Sequence, residues 1–578
     1  MLSRRYSGNT ITTYTDALMT FLKFHSNKSI SEITNDDVIK FNNEFVLKNN
    51  LSASYQNQVV NAVKLFFMKY HFRSYLTLIL IVNGFILNAQ VAKSDAKSSY
   101  QDATRNERIA KTFPIIEELY KAYALKNHFP GYAFGIVVDG QLVYKGNGGY
   151  ANLEEKIPAS SASMFRIASM SKSFTALAIL KLRDEGKLQL DDAVEKYIPA
   201  LKSQGLTKDA PLMTIRHLMT HSAGFPEDNP WGDRQLEDTE EDLVTLIKNK
   251  LSLSNTAGLE YEYSNLGFAM LGYIIHKVSG MNYDTYIAKN ILAPLSMQGT
   301  SFEYTDVPKN LFANGYRYIN DQWRIEQPLK NGIYGAMGGM ITSIDMYSKY
   351  VALHENAWPA RDDAETLPIK RSSLREMHQP AFFIELSPNT IFPSGKKMAI
   401  TSSYSYGLNW TIDAETKKSI GHSGGLPGFG SNWRFLPDYG IGVILFANVT
   451  YAPTSKINFI VLDTLIQLAQ LKPRPIKVSK VLIERQTQLT NIITHWDKST
   501  PIFAENFFDD YPIEDLKKSA DTIFKKMGNI IKVNTMIPEN QLRGYCMIDC
   551  EKGKVKLSFT LTPENPALIQ EYHLTIVN

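Results

Sequence analysis

Ser169-Met170-Ser171-Lys172 sets a hydroxyl and an amine three residues apart at the head of the apolar run Phe174–Leu182. On a helix such a pair shares one face, roughly 5–6 Å apart at Cβ, so Lys172 can take the hydroxyl proton if burial keeps it neutral. A second set, Tyr263-Ser264-Asn265, stands where a loop gives way to the apolar stretch Leu266–Ile275. A phenol there can relay protons and an amide can orient a bound carbonyl. A third set, His422-Ser423-Gly424-Gly425, precedes two strand-like runs, Trp433–Pro437 and Ile441–Asn448, joined by the turn Pro437-Asp438-Tyr439-Gly440. A strand at this place can offer a backbone N–H to an oxyanion. Acyl transfer needs a nucleophile, a proton acceptor, a second proton carrier and oxyanion donors, and each has a candidate here.

Each set also has a plainer reading. The first can be a capped helix start, Tyr263 and Asn265 can cap and pack a helix, and His422 can satisfy a buried strand end. The occurrence of all three in one chain favours the chemical reading. Gly421-His422-Ser423-Gly424-Gly425 also fits the G-x-S-x-G nucleophile elbow, with Ser423 as nucleophile. An elbow opens directly into a helix, and Leu426-Pro427-Gly428-Phe429-Gly430 does not start one. His217 and His221 have metal-ligand spacing on an expected helix, but Leu218 stands where H-E-x-x-H carries Glu, so a packed helix without metal is expected. Cys546 and Cys550 are the only cysteines. On one extended strand their Cα atoms stand roughly 13 Å apart, too far for a bridge, whereas a bend at Asp549 brings them nearer.

The order and spacing S-x-x-K, Y-x-N, H-x-G resemble the serine β-lactamase and penicillin-binding-protein superfamily, in its class C-like branch with family VIII esterases and D-aminopeptidases. The hairpin Gly135–Tyr144, the stretch Thr214–Phe225 and Gly335–Ser343 fit the same family, so the resemblance covers about residues 108–472. It implies a multidomain chain with a central α/β domain, a mainly antiparallel sheet flanked by helices plus an all-helical lobe, and Ser169 in the cleft between them. It further implies that Ser169 is acylated, that Lys172 and Tyr263 share general base and acid duty, and that Asn265 positions the substrate carbonyl. The N–H groups of Ser169 and Gly425 then form the oxyanion hole, with His422 and Gly424 lining the site and no metal or organic cofactor. One departure bears on substrate choice: class C β-lactamases carry Lys where this chain has His422. A neutral imidazole holds an anionic substrate less firmly, which favours esterase or D-aminopeptidase chemistry over β-lactam hydrolysis. A small-molecule or peptide substrate, cell-wall derived, is implied. A catalytically inactive ligand binder is the alternative within the family.

The whole chain, 578 residues with 44% hydrophobic, 21% charged and a formal net charge of +4, can bury a sizeable core and should divide into several domains. That charge gives no reason to expect nucleic acid or acidic membrane as a partner of the whole chain. Residues 75–87 form an uncharged apolar run suited to a signal-peptide core, preceded by Lys69 and Arg73 and followed by Ala89. Residues 68–90 therefore read as a secretory signal or a membrane anchor, and a periplasmic or secreted location follows. Upstream, apolar Leu18, Phe21 and Leu22 recur at helical spacing in the first of three amphipathic segments. Residues 1–67 resemble the all-α, SAM-like core-binding domain of tyrosine recombinases (phage integrases), which implies DNA binding by this segment alone. No room is left before residue 68 for a recombinase catalytic domain, so the segment reads as a fusion or an upstream start, with Met68 the expected start. A DNA-binding recombinase derivative is the second alternative function. A linker over 91–107, a helix from about Arg108 to Lys126, and a break at Lys472-Pro473-Arg474-Pro475 bound the central domain. Beyond it, residues 473–578 read as a small α+β domain, with a helix over Ile513–Lys526 and strands over Val555–Leu561 and Glu571–Ile576.

Overall fold

The computed structural model describes residues 8–28, 33, 35–49, 100, 102–495 and 501–577. The apolar run 75–87 and the third N-terminal segment, around Ser52–Val59, lie outside them. The chain falls into two compact units, 1–97 and 98–578. The first carries the helices Gly8–Phe24 and Asn35–Phe41, the latter continuing as a π-helical turn Asn42–Leu47. They close on a small core of Ala17, Phe21, Phe41 and Val46.

In the second unit the strands are β1 (Gly131–Val138), β2 (Gln141–Asn152), β3 (Ile157–Pro158), β4 (Phe165–Arg166), β5 (Tyr316–Ile319), β6 (Gln322–Ile325) and β7 (Ile341–Thr342). Then follow β8 (Phe382–Ile391), β9 (Lys397–Tyr404), β10 (Asn409–Asp413), β11 (Lys418–Leu426), β12 (Phe429–Leu436) and β13 (Ile441–Ala447). Nine of these form one antiparallel sheet in the order β3-β2-β1-β13-β12-β11-β10-β9-β8, while β4 pairs β7 and β5 pairs β6. The first hairpin thus lies beside the last strand, and the helical lobe is the excursion between β3 and β8. Strand period explains the two layers. Ala133 and Val137 of β1, with Ile444 and Phe446 of β13, face the helical lobe. Tyr132, Phe134, Ile136 and Val138, with Val443 and Leu445, face the helices Phe113–Lys126 and Thr454–Leu468 on the other side. Both faces are covered, so β1 and β13 are buried at every residue.

The single helix expected over Arg108–Lys126 is two. Arg105–Ala110 stops, and Pro114 opens Phe113–Lys126, because proline suits a first turn and cannot continue a helix. Past the non-helical segment 472–479, a third core built on Leu482, Leu489, Ile548, Val555 and Leu557 holds the C-terminal α+β part. Its strands are β14 (Ile530–Val533), β15 (Ile537–Pro538), β16 (Arg543–Cys550), β17 (Gly553–Leu561) and β18 (Ile569–Val577), packed with the helices Lys480–His495 and Ile513–Met527. Cys546 and Cys550 both lie on β16, free and buried.

Candidate active site

Ser169 sits in a 3₁₀ turn, Ala168–Met170, that feeds the helix Ser171–Asp184. That helix is buried at Ser171–Leu180 and again at Leu182, so its N-terminal turn is held as firmly as the core itself. The turn is pressed against β11 from behind. A Cβ at Gly424 would stand 2.2 Å from the Ile167 carbonyl oxygen and 3.0 Å from the Ala168 Cβ, so only glycine permits this approach. Ser431 of β12 donates to the same Ile167 carbonyl at 2.6 Å. Ala168 takes φ +50°, a left-handed conformation costing an alanine about 1–2 kcal/mol, which the surrounding contacts enforce.

Lys172 Nζ is wholly buried and donates to Ser169 Oγ (3.0 Å), Asn265 Oδ1 (2.7 Å) and the Met337 carbonyl (3.0 Å). Burial lowers its pKa to about 7, against the opposing pull of Asp233 and Asp228. Of its three partners, the amide oxygen and the carbonyl can only accept, so each requires an N–H. When the amine is neutral its lone pair therefore has one direction left, toward the Ser169 hydroxyl. Burial drives the Tyr263 pKa well above the ordinary phenol value, and the nearby Ser169 hydroxyl opposes that rise. Tyr263 is accordingly a protonated phenol at neutral pH, with the Lys172 Nζ 4.8 Å from its ring centroid.

The helix Asn265–Ser279 delivers Asn265, and its first turn is capped twice over. Ser264 Oγ accepts from Gly267 N at 3.1 Å, and Asp228 accepts from the N–H groups of Asn265 (2.7 Å) and Leu266 (2.8 Å). At the far end Gly280 closes it in the left-handed conformation, φ +72°. His422, Gly424 and Gly425 lie on β11. Among the described residues β10 pairs with β11 only as far as Gly421, whereas β12 pairs with it to Leu426. Beyond Gly421 the strand thus has one free side, where its backbone groups can meet a bound carbonyl. Ser423 is mid-strand, its Oγ accepting from Asn432 Nδ2 at 3.0 Å, and no helix follows it, so the elbow geometry is absent there. Burial lowers the His422 pKa to about 3. Its Nδ1 donates to the Ser423 carbonyl (2.5 Å) and its Nε2 accepts from the Tyr404 hydroxyl (2.7 Å), so the ring is neutral with both nitrogens engaged.

The structure joins Ser169, Lys172 and Asn265 by hydrogen bonds, places the Tyr263 ring beside the Lys172 amine, and sets Gly424 against the turn that carries Ser169. It also adds residues that sequence reasoning missed. The helix expected to carry both His217 and His221 covers only Ile215–Met219. His217 completes its N-terminal cap, whereas His221 leaves it at φ +56° and accepts from Ser264 N through Nδ1 at 3.0 Å. Its ring packs 4.2 Å from Tyr263 and 4.5 Å from Tyr404, so this residue supports the site rather than pairing with His217. Asp228, Asp233, Tyr404 and Tyr451 join the site from segments that carry none of the three motifs. Trp231 is 45% exposed and meets Tyr334 edge-on at 6.1 Å.

A buried Ser–Lys pair with a phenol and an amide, set between a helical lobe and a covered antiparallel sheet, defines the class of serine acyl-transfer and penicillin-binding-like folds. Residues 114–464 match the Beta-lactamase family model, more than half of the chain, and the chain belongs to that family. Residues 1–75 match the model of the phage integrase N-terminal SAM-like domain. Among curated proteins it is similar to Protein flp of Staphylococcus aureus (strain NCTC 8325 / PS 47), 30% identical over 341 residues, 57% of this chain and 62% of that protein. Penicillin-binding protein 4* of Bacillus subtilis (strain 168) is 27% identical over 322 residues, 54% of this chain and 67% of its own. The chain thus spans less than two thirds of the length of Protein flp. The octameric penicillin-binding protein homologue from Pyrococcus abyssi shares the fold, with a TM-score of 0.52 at 24% identity, covering 80% of this chain and 99% of that one.

Proposed function

We propose that this protein is a serine hydrolase that cleaves ester, amide or peptide bonds through a Ser169 acyl-enzyme. The observation that carries the reading is the lone-pair direction of Lys172, left open only toward the Ser169 hydroxyl. In the forward step Ser169 Oγ bonds to the substrate carbonyl carbon, its proton passes to Lys172 Nζ, and the carbonyl π electrons move to oxygen, an oxyanion to which the Ser169 and Gly425 N–H groups donate. On collapse the bond to the leaving group breaks, Tyr263 gives it a proton, and the Lys172 ammonium replaces that proton. Water repeats the sequence on the ester formed at Ser169. Asn265 orients the substrate carbonyl side while holding Lys172.

An esterase or D-aminopeptidase activity is favoured over β-lactam hydrolysis, because the neutral, fully engaged His422 offers no cation to a substrate carboxylate. A cell-wall-derived peptide remains within this class, in keeping with the penicillin-binding names of the relatives. The test compares a neutral p-nitrophenyl ester with a fluorescent penicillin, using His422→Lys beside the wild type. The reading predicts ester turnover that Ser169→Ala abolishes, and a gain in penicillin labelling relative to ester turnover in His422→Lys. Penicillin hydrolysis exceeding ester turnover in the wild type contradicts the preference. We also propose export, on the apolar run 75–87, which N-terminal sequencing of the native protein checks: Gln90 at the terminus supports it and a retained 68–90 segment opposes cleavage. DNA binding is proposed for residues 1–67 alone, on their match to the integrase SAM-like model, and a salt-dependent mobility shift requiring that segment tests it.

A further inference from the structure

Asp233 is a carboxylate that the roles above leave unused. It lies in the 3₁₀ turn Gly232–Arg234 and is 2% exposed. Tyr451 donates to its Oδ2 at 3.0 Å, while its buried Oδ1 has no hydrogen-bond partner among the described residues. Two close approaches put it at the site. A Cβ at Gly232 would stand 2.7 Å from the Cβ of Asn265, and a Cβ at Gly425 would stand 2.8 Å from the Tyr451 ring. Asp233 therefore follows directly the glycine packed against Asn265, the amide that holds Lys172, and its hydrogen-bond partner Tyr451 packs against Gly425, the expected oxyanion donor. Asp228 differs, because both its oxygens are spent on Ser264 and on the first turn of the helix Asn265–Ser279.

We propose that Asp233 is a positioning residue whose free carboxylate oxygen acts through space on the Lys172 amine, stabilising the ammonium that forms when Ser169 gives up its proton, with Tyr451 holding the carboxylate in place. The proposal rests on the acyl-transfer reading above. The groups that act on Lys172 are Asp233, Asp228, His221, His422 and Tyr263; those that act on Asp233 are Lys172, Asp228, Tyr451 and Arg234. Burial keeps both imidazoles neutral and the Tyr263 phenol protonated at working pH. Burial also raises Asp233, to about 6, and the Lys172 charge opposes that rise. An anion beside an amine makes it hold its proton to higher pH, so removing that anion lets the free base appear at lower pH.

The experiment is the pH dependence of single-turnover phosphonylation of the full-length protein by a fluorophosphonate, in which Ser169 Oγ bonds to phosphorus, fluoride leaves and the hydroxyl proton passes to Lys172, read by intact mass. Asp233→Asn keeps the size and can still accept from Tyr451; Tyr451→Phe removes the hydrogen bond at a position that is 44% exposed, where folding is not at stake. In Asp233→Asn the acid limb is expected to move to lower pH by about one unit, with a lower plateau rate because the ammonium has lost its counter-charge. Tyr451→Phe should shift the limb in the same direction by less, since an unsupported Asp233 ionises less readily. A purely structural Asp233 would lower the amount of labelled protein without moving the limb. A labelled wild type whose limb is unmoved in Tyr451→Phe and in folded Asp233→Asn overturns this inference alone; a wild type never labelled at Ser169 overturns the acyl-transfer reading and this inference with it.

Discussion

At the scale of residues, the proposed chemistry turns on an amine that burial keeps from water. A lysine in water holds its proton to a pH far above neutrality, and the burial of Lys172 lowers that to about 7. The depressed value means the base form is present above pH 7 and is lost as the pH falls through it. Attack by Ser169 should therefore slow about tenfold per pH unit below 7 in the wild type, measured as the initial rate of phosphonylation by a fluorophosphonate. Lys172→Met, which fills the space without a base, should lower that rate by about 10²-fold or more at pH 8 while leaving the thermal midpoint near or above the wild-type value, because an ammonium no longer has to be desolvated. An unchanged labelling rate would assign the base elsewhere. The motif residues Ser169, Lys172, Tyr263, Asn265, His422, Gly424 and Gly425 were legible in the sequence because their spacing is local. Asp233, His221, Tyr404 and Tyr451 were not, since each reaches the site from a distant segment through packing that leaves no local pattern.

Elements position these residues by how closely they approach. The turn Ala168–Met170 and strand β11 can touch only because position 424 has no side chain. Gly424→Ala should therefore push β11 off the turn, costing about 1–3 kcal/mol in a denaturant titration and at least tenfold in acylation. Gly425→Ala meets the half-exposed Tyr451 ring, which can swing away, and should cost clearly less in stability. Equal losses at the two positions would show that close approach at 424 is not what sets the site. The helix Ser171–Asp184, the capped helix Asn265–Ser279 and the β12–β13 hairpin were legible from apolar runs bounded by turn or cap residues. The break at Pro114 and the early end of the helix Ile215–Met219 were not, because there a local proline and the burial of His221 against Tyr263 override the apolar pattern. Nor was the pairing of β1 with β13, whose partners stand some three hundred residues apart in sequence.

At the scale of the whole molecule, the described residues group into cores that share no residues. The sheet domain has one core on each face, the C-terminal part has its own, and the N-terminal unit closes on four buried side chains. Every member of the candidate site belongs to the second unit. A protein beginning at Met68 should therefore label at the full-length rate within about twofold, and a large loss would mean that the first unit contributes to the site. Of the two boundaries expected from sequence, the apolar run 75–87 lies outside the described residues, and the break near Lys472 coincides with the non-helical segment 472–479. The measurement that bears most directly on the account is the intact mass of the full-length protein after fluorophosphonate treatment, beside Ser169→Ala. One covalent adduct on the wild type, placed on Ser169 by peptide mapping and missing from Ser169→Ala, is the predicted result. An adduct that persists in Ser169→Ala, or none on the folded wild type, contradicts the Ser169 acyl-enzyme.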